Sequence, residues 1–346
     1  MVQQRKLDLN TPLDSNTNPT LEKVPLTPDL IEAALVLHGD YYSQSQTNLN
    51  KYIFWHPIPL SIYSIVFPIV ICYQLWDFII ISDSVFEFLS FFGRTKDIYF
   101  GLIAVSPAII IVFGVIGLIA YLLSDDIKTV CDNLPRQQYA KQIFGFDIKL
   151  FSWLDPTVNK AEDDIELLEK GNNTQFIIYR ESPIAVCSLN PDYEHSTKEQ
   201  FIINLTGLQV RRVFQKVDFE DLLLDWAITR SRELFQIYAR DQKLKNYEEN
   251  VKIIINTKAY VFNNNQLEIL SKKGFVETSQ SIELNPFVPS KYNTITTFLH
   301  TKLNIGIKTL SLTIVPTKED EELIKDSIKP VTTTTTTGRA STRKRK

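Results

Sequence analysis

The chain has 346 residues, and 37 Lys and Arg against 40 Asp and Glu leave a formal net charge of −3. That balance gives no reason to expect nucleic acid as a partner, since phosphate backbones select strongly basic surfaces. Cys72, Cys131 and Cys187 form no disulfide framework or CxxC pair, and His38, His56, His195 and His300 lack metal-ligand spacing, so no metal site is expected.

Residues 1–51 read as a polar arm, disordered up to about Leu26. Thr27-Pro28 then looks like an N-cap with proline at the first helical position, and Gly39 is expected to end the helix. Leu30, Ile31, Ala34, Leu35 and His38 share one face. That face needs a partner, either the C-terminal domain or the membrane surface.

Residues 52–124 hold two uncharged apolar runs, Tyr52–Trp76 and Ile98–Ser124. Each exceeds the roughly 20 residues that a helix needs to cross a ~30 Å hydrocarbon core. The expectation is a two-span membrane hairpin with a short lumenal loop, the first span acting as an internal signal-anchor. Near the membrane, Lys51, Lys128, Arg136 and Lys141 outnumber Arg94 and Lys96 in the loop, which places the termini in the cytosol. Pro57, Pro59 and Pro68 are expected to bend the first span. Gly101, Ala104 and Ala108 fall on one face of the second, which suits close packing, either between the two spans or on a helix of another membrane protein. Gln74 and Asp77 are the strongly polar groups near the end of the first span, and Asp77 is read as snorkelling to the interface. Pro68, Gln74, Asp77, Gly101, Ala104 and Ala108 are the candidate contacts for such a partner.

Residues 125–328 alternate strand and helix patterns. Phe176–Tyr179 and Ile184–Leu189 read as a hairpin turning at Arg180-Glu181-Ser182-Pro183, and Phe201–Val210 as a third strand. Phe219–Tyr238 reads as a long helix, Val251–Ile255 as a buried strand, and Gln266–Lys273 as a helix stopped by Gly274. Phe275–Leu284 and Thr309–Val315 close an α/β domain with a mixed, largely antiparallel sheet. The acidic Glu162-Asp163-Asp164 reads as a solvated helix start. Asn172 and Asn204 head glycosylation sequons that a lumenal domain would use.

This order, with Lys272–Phe275 ending the second helix, resembles the GCN5-related N-acetyltransferase (GNAT) fold. The resemblance implies a glycine-rich loop whose backbone N–H groups hold the coenzyme A pyrophosphate at a helix N-terminus. Here the loop would be Gln215-Lys216-Val217-Asp218-Phe219-Glu220, with acids at both glycine positions. The tyrosine that donates a proton in that family would fall at Leu270. The expectation is therefore a degenerate loop (Gln215, Lys216, Asp218, Glu220), no catalytic residue and no cofactor. The alternative is a membrane-anchored acetyl-coenzyme A-dependent N-acetyltransferase.

Residues 329–346 read as a disordered basic tail after the Thr332–Thr337 run. Arg343 and Lys344 resemble a dilysine-type endoplasmic-reticulum retrieval signal; a polybasic lipid-attracted segment is the other reading.

Val2-Gln3-Gln4-Arg5-Lys6, Asp8-Leu9-Asn10, Leu26-Thr27-Pro28-Asp29-Leu30-Ile31 and Gly39-Asp40-Tyr41-Tyr42-Ser43, together with the hairpin, resemble a fungal family of endoplasmic-reticulum phosphate-metabolism proteins. The resemblance implies a non-catalytic packaging chaperone in the endoplasmic-reticulum membrane. Its partners would be a polytopic phosphate transporter as client, the lipid bilayer and vesicle coat components.

Overall fold

In the computed structural model the described residues are 21–94, 96–154, 162–242 and 251–316. The opening residues that carry part of the family resemblance, and Arg343 and Lys344, lie outside them. A seven-stranded sheet has the order β1-β2-β3-β4-β5-β7-β6. Its strands are β1 (Leu21–Pro25), β2 (Thr174–Tyr179), β3 (Ser182–Asp192), β4 (Gln200–Val210), β5 (Lys252–Tyr260), β6 (Val276–Ser281) and β7 (Ile307–Ile314). The β4–β5 pair is parallel and every other pair antiparallel. A parallel pair requires a crossover, and α11 (Phe219–Asp241) supplies it.

The expected hairpin is present, but Ser182 and Pro183 belong to β3, so its turn is two residues, Arg180 and Glu181. Both turn residues have positive φ (48° and 61°), the conformation that matches strand twist in a tight hairpin. Strand β1 was not legible, because a short, exposed edge strand carries little apolar signal.

Alternation along the strands builds two cores. Phe176 and Val186 face one side of the sheet; Ile177, Ala185 and Cys187 face the other. On the second side pack α11 and α12 (Asn264–Lys272). On the first pack α1 (Ile31–Phe54), α7 (Asp125–Asn133), α8 (Gln137–Phe144) and α9 (Ile148–Ser152). Two further helices, α10 (Glu162–Gly171) and α13 (Thr294–Lys302), flank the sheet.

Helix α1 departs most from the sequence reading. It runs through Gly39 to Phe54, because Ile31, Ala34, His38, Tyr42, Ser45, Leu49 and Ile53 form one continuous buried stripe. A stripe that long outweighs one helical glycine, which costs roughly 1 kcal/mol. Tyr52 therefore belongs to this helix rather than to a span, and its hydroxyl donates to the Leu303 carbonyl at 3.0 Å.

Beyond α1 the chain forms α2 (Pro57–Gln74), α3 (Trp76–Ile81), α4 (Val85–Arg94), α5 (Asp97–Ala104) and α6 (Ser106–Leu123). Pro57–Gln74 and Asp97–Leu123 are long and apolar enough to cross a membrane. Only 6% and 11% of these two windows is covered by the rest of the protein, unlike the core helices of a soluble domain. Helix α2 continues through Pro68.

Candidate functional site

Strands β4 and β5 pair from Gln200↔Lys252 to Leu205↔Thr257 and then part. A β-bulge marks the place: on β3, Ser188 faces Gly207 and Leu189 faces Leu205, leaving Thr206 unmatched. A bulge bends its strand and re-aims side chains. Leu208 and Val210 thereby join the core under α11, while Gly207 faces α1. Thr206 Oγ1 donates to the Ile143 carbonyl, tying the bulge to α8. The opened wedge holds a cavity of ≈ 450 Å³ lined by both strand ends, Tyr41, Tyr42, Asn190 and Lys258.

Helix α1 crosses this wedge. His38 Nε2 and the Ser188 hydroxyl are hydrogen-bonded at 3.0 Å, and the imidazole meets Phe144 edge-on. Complete burial lowers the His38 pKa to about 4. The ring is therefore neutral at physiological pH. Tyr41 stacks on Tyr260 of β5, and its hydroxyl donates to Gln266 of α12 at 2.9 Å. One turn on, Gln215 Nε2 donates to Gln44 Oε1 at 3.1 Å. A single helix thus touches β3, β5, α12 and the loop that precedes α11.

That loop places the residues read as a degenerate phosphate loop. Asp218 is the N-cap of α11 with φ +47°, a left-handed conformation that favours glycine and that Asp tolerates better than most residues. Glu220 is buried in the first turn, and Asp221 follows it. Three carboxylates at a helix N-terminus complement its dipole and repel a further anion. Burial, with Asp218 and Asp221 adding repulsion, raises the Glu220 pKa to about 7. Lys216 is exposed, and Leu270 is fully buried in the core beneath α11. Asn204 is half-buried in the cavity lining within the sheet, whereas Asn172 is exposed.

The hairpin candidates differ in how far the rest of the chain covers them. Pro68, Gln74, Asp77 and Ala104 are exposed, and Gly101 and Ala108 are half-covered. Gly101 faces the end of α2: a Cβ there would lie 3.0 Å from Leu75 Cδ2 and 3.5 Å from the Gln74 carbonyl. That glycine serves packing between the chain's own apolar helices. Asp77 sits in the first turn of α3. Sequence reasoning missed Tyr41 and Tyr42 as wedge residues and Gln44 as the partner of Gln215. The alternation of small and polar groups along α1 carried no sign of what the helix would cover.

Among solved structures the chain is similar to Naa50 of Arabidopsis thaliana bound to a bisubstrate analogue, at 10% identity and TM-score 0.30, over 53% of this chain and 93% of that one. It is also similar to a GNAT-family acetyltransferase of Streptococcus pneumoniae, at 13% identity and TM-score 0.28, over 56% and 95%. A third is NAA60 of Arabidopsis thaliana with acetyl-CoA, at 9% identity and TM-score 0.27, over 46% and 87%. No curated protein matches. The family model for the inorganic phosphate transporter chaperone Pho86 matches residues 3–314, nearly the whole chain. The chain belongs to this family of phosphate transporter chaperones.

Proposed function

We propose that the protein acts as a non-catalytic chaperone in the endoplasmic-reticulum membrane, where it shields a phosphate transporter during assembly and packages it for export. The observation that carries this reading is the pair of membrane-length helices whose apolar surface the rest of the protein leaves uncovered. Ile65, Ile69, Ile103, Ile110 and Ile111 are each more than 60% exposed. In a bilayer such a surface is free for lipid or for a client's helices, which pack by shape and small residues.

Absence of catalysis is part of the same reading. Where the GNAT resemblance implies a bound pyrophosphate, the chain has Asp218, Glu220 and Asp221, and Tyr41 and Tyr42 line the wedge between β4 and β5. A fold persists when its chemistry is lost. The termini would face the cytosol, with the α/β domain available to client loops or coat components. Photo-crosslinkers placed at Ile69 and Ile103 in microsomes test the reading. Adducts with newly made phosphate transporter are expected, and their absence, with normal transporter export in cells lacking this chain, would refute it.

A further inference from the structure

A second cavity, ≈ 360 Å³, lies between the latter half of α1, the β4–α11 loop and the start of α12. Its charged lining groups are Lys51, Arg212 and Glu220. Lys51 and Arg212 are exposed, and Glu220 is buried. The rest of the polar lining is neutral amide and hydroxyl, including Asn48, Gln215 and Asn263. The buried Ser45 hydroxyl, near the Tyr41 oxygen, also lines it. Two cations at the rim and a carboxylate within make a dipolar site. A simple anion that entered fully would meet Glu220; a zwitterion satisfies both signs.

Position narrows the ligand further. Lys51 precedes His56, the N-cap of the membrane-length helix α2, by five residues, of which the helical steps to Phe54 rise about 5 Å. Trp55 stands between them, 68% exposed, as indoles do at the headgroup level. The headgroup region is itself about 5–7 Å deep on each side of the hydrocarbon. If α2 enters the bilayer as proposed above, on which this inference rests, Lys51 lies at the headgroups.

We infer that this cavity binds the headgroup of an aminophospholipid, its phosphate held by Lys51 and Arg212 and its ammonium by the Glu220 carboxylate. The neutral amides supply the remaining hydrogen bonds. A lipid held there bridges α1 to the loop before α11 and fixes the helix across the wedge. An ammonium beside Glu220 also favours the ionised carboxylate, offsetting the burial that otherwise raises its pKa.

Native mass spectrometry of the full chain in mild detergent tests this, with phosphatidylethanolamine, phosphatidylglycerol and inorganic phosphate as separate probes. One phosphatidylethanolamine per chain is expected to be retained. Lys51→Ala with Arg212→Ala should weaken retention at least tenfold, and Lys51→Arg with Arg212→Lys should restore it. Glu220→Gln should abolish the preference over phosphatidylglycerol. Equal retention by wild type and the double alanine variant overturns the site. A phosphatidylglycerol preference in the wild type, or displacement of lipid by millimolar inorganic phosphate, overturns the zwitterion assignment. Alkaline extraction of the source membranes separates the two readings. A chain released by alkali refutes the membrane hairpin; one that stays in the membrane but holds no selected lipid refutes this site alone.

Discussion

Gly207 of β4 and His38 of α1 are in direct contact: a Cβ on the glycine would overlap Cε1 and Nδ1 of the imidazole. The bulge at Thr206 turns Gly207 toward α1, and the Ser188 hydroxyl holds the ring there. Neither residue explains itself alone. The glycine is small because the histidine is present, and the histidine is buried and neutral because the helix must pass this close.

Gly207→Ala should therefore destabilise the chain by about 1–3 kcal/mol through overpacking. His38→Ala opens the space, so the double variant should be more stable than the two single costs added together imply. A double-mutant cycle by denaturant unfolding in detergent reads the coupling. Strict additivity would show that the two residues do not share the site.

The His38 pKa predicts a pH signature. Folded, it titrates at about 4; unfolded, near 6.5. Between those values the unfolded chain binds more protons, so stability is full above pH 6.5, falls as pH drops toward 4 and levels off below it. The swing is about 3 kcal/mol, taken at 1.36 kcal/mol per pKa unit. His38→Asn should remove this part of the pH dependence, measured as the wild-type-minus-variant difference in unfolding free energy across pH 4–7.

Glu220 has the opposite sign. Burial first, then Asp218 and Asp221, raises its pKa from 4.5 to about 7, so the folded state holds its proton more tightly. Its ionisation costs stability as pH rises from 4.5 through 7. In lipid-free detergent, Glu220→Gln should match wild type at pH 4.5 and exceed it at pH 8. After allowance for solvent screening the gain is about 1 kcal/mol, or roughly 2–4 °C in melting temperature.

Gly101→Val should push α5 from the end of α2, because even a bare Cβ lies 3.0 Å from Leu75 Cδ2. Expected is a fall of more than half in surface phosphate transporter, with the chaperone itself still in the membrane fraction. Cell-surface labelling compared with Ala104→Val checks this. Ala104 is exposed, so its variant leaves hairpin packing intact and tests the proposed client contact.

Purified full-length protein should show no saturable acetyl-coenzyme A binding by calorimetry at concentrations up to about 1 mM, the upper end of ordinary enzyme affinities. Saturable binding would restore the acetyltransferase alternative.

Sequence by itself determined much of the architecture. Short β-type runs located β2, β3 and β4, the two apolar windows announced helices of membrane length, and the apolar pattern after Asp218 marked the long crossover helix. These signals are local, each contained in a few consecutive residues. Only the tertiary structure decided what α1 does. Its stripe from Ile31 to Ile53 shows that something is buried, yet its partners Ser188, Gln215, Tyr260, Gln266 and Leu303 come from distant parts of the chain. Periodicity reports that a face is covered; the covering residues are fixed by how the sheet opens at Thr206, which no local pattern encodes.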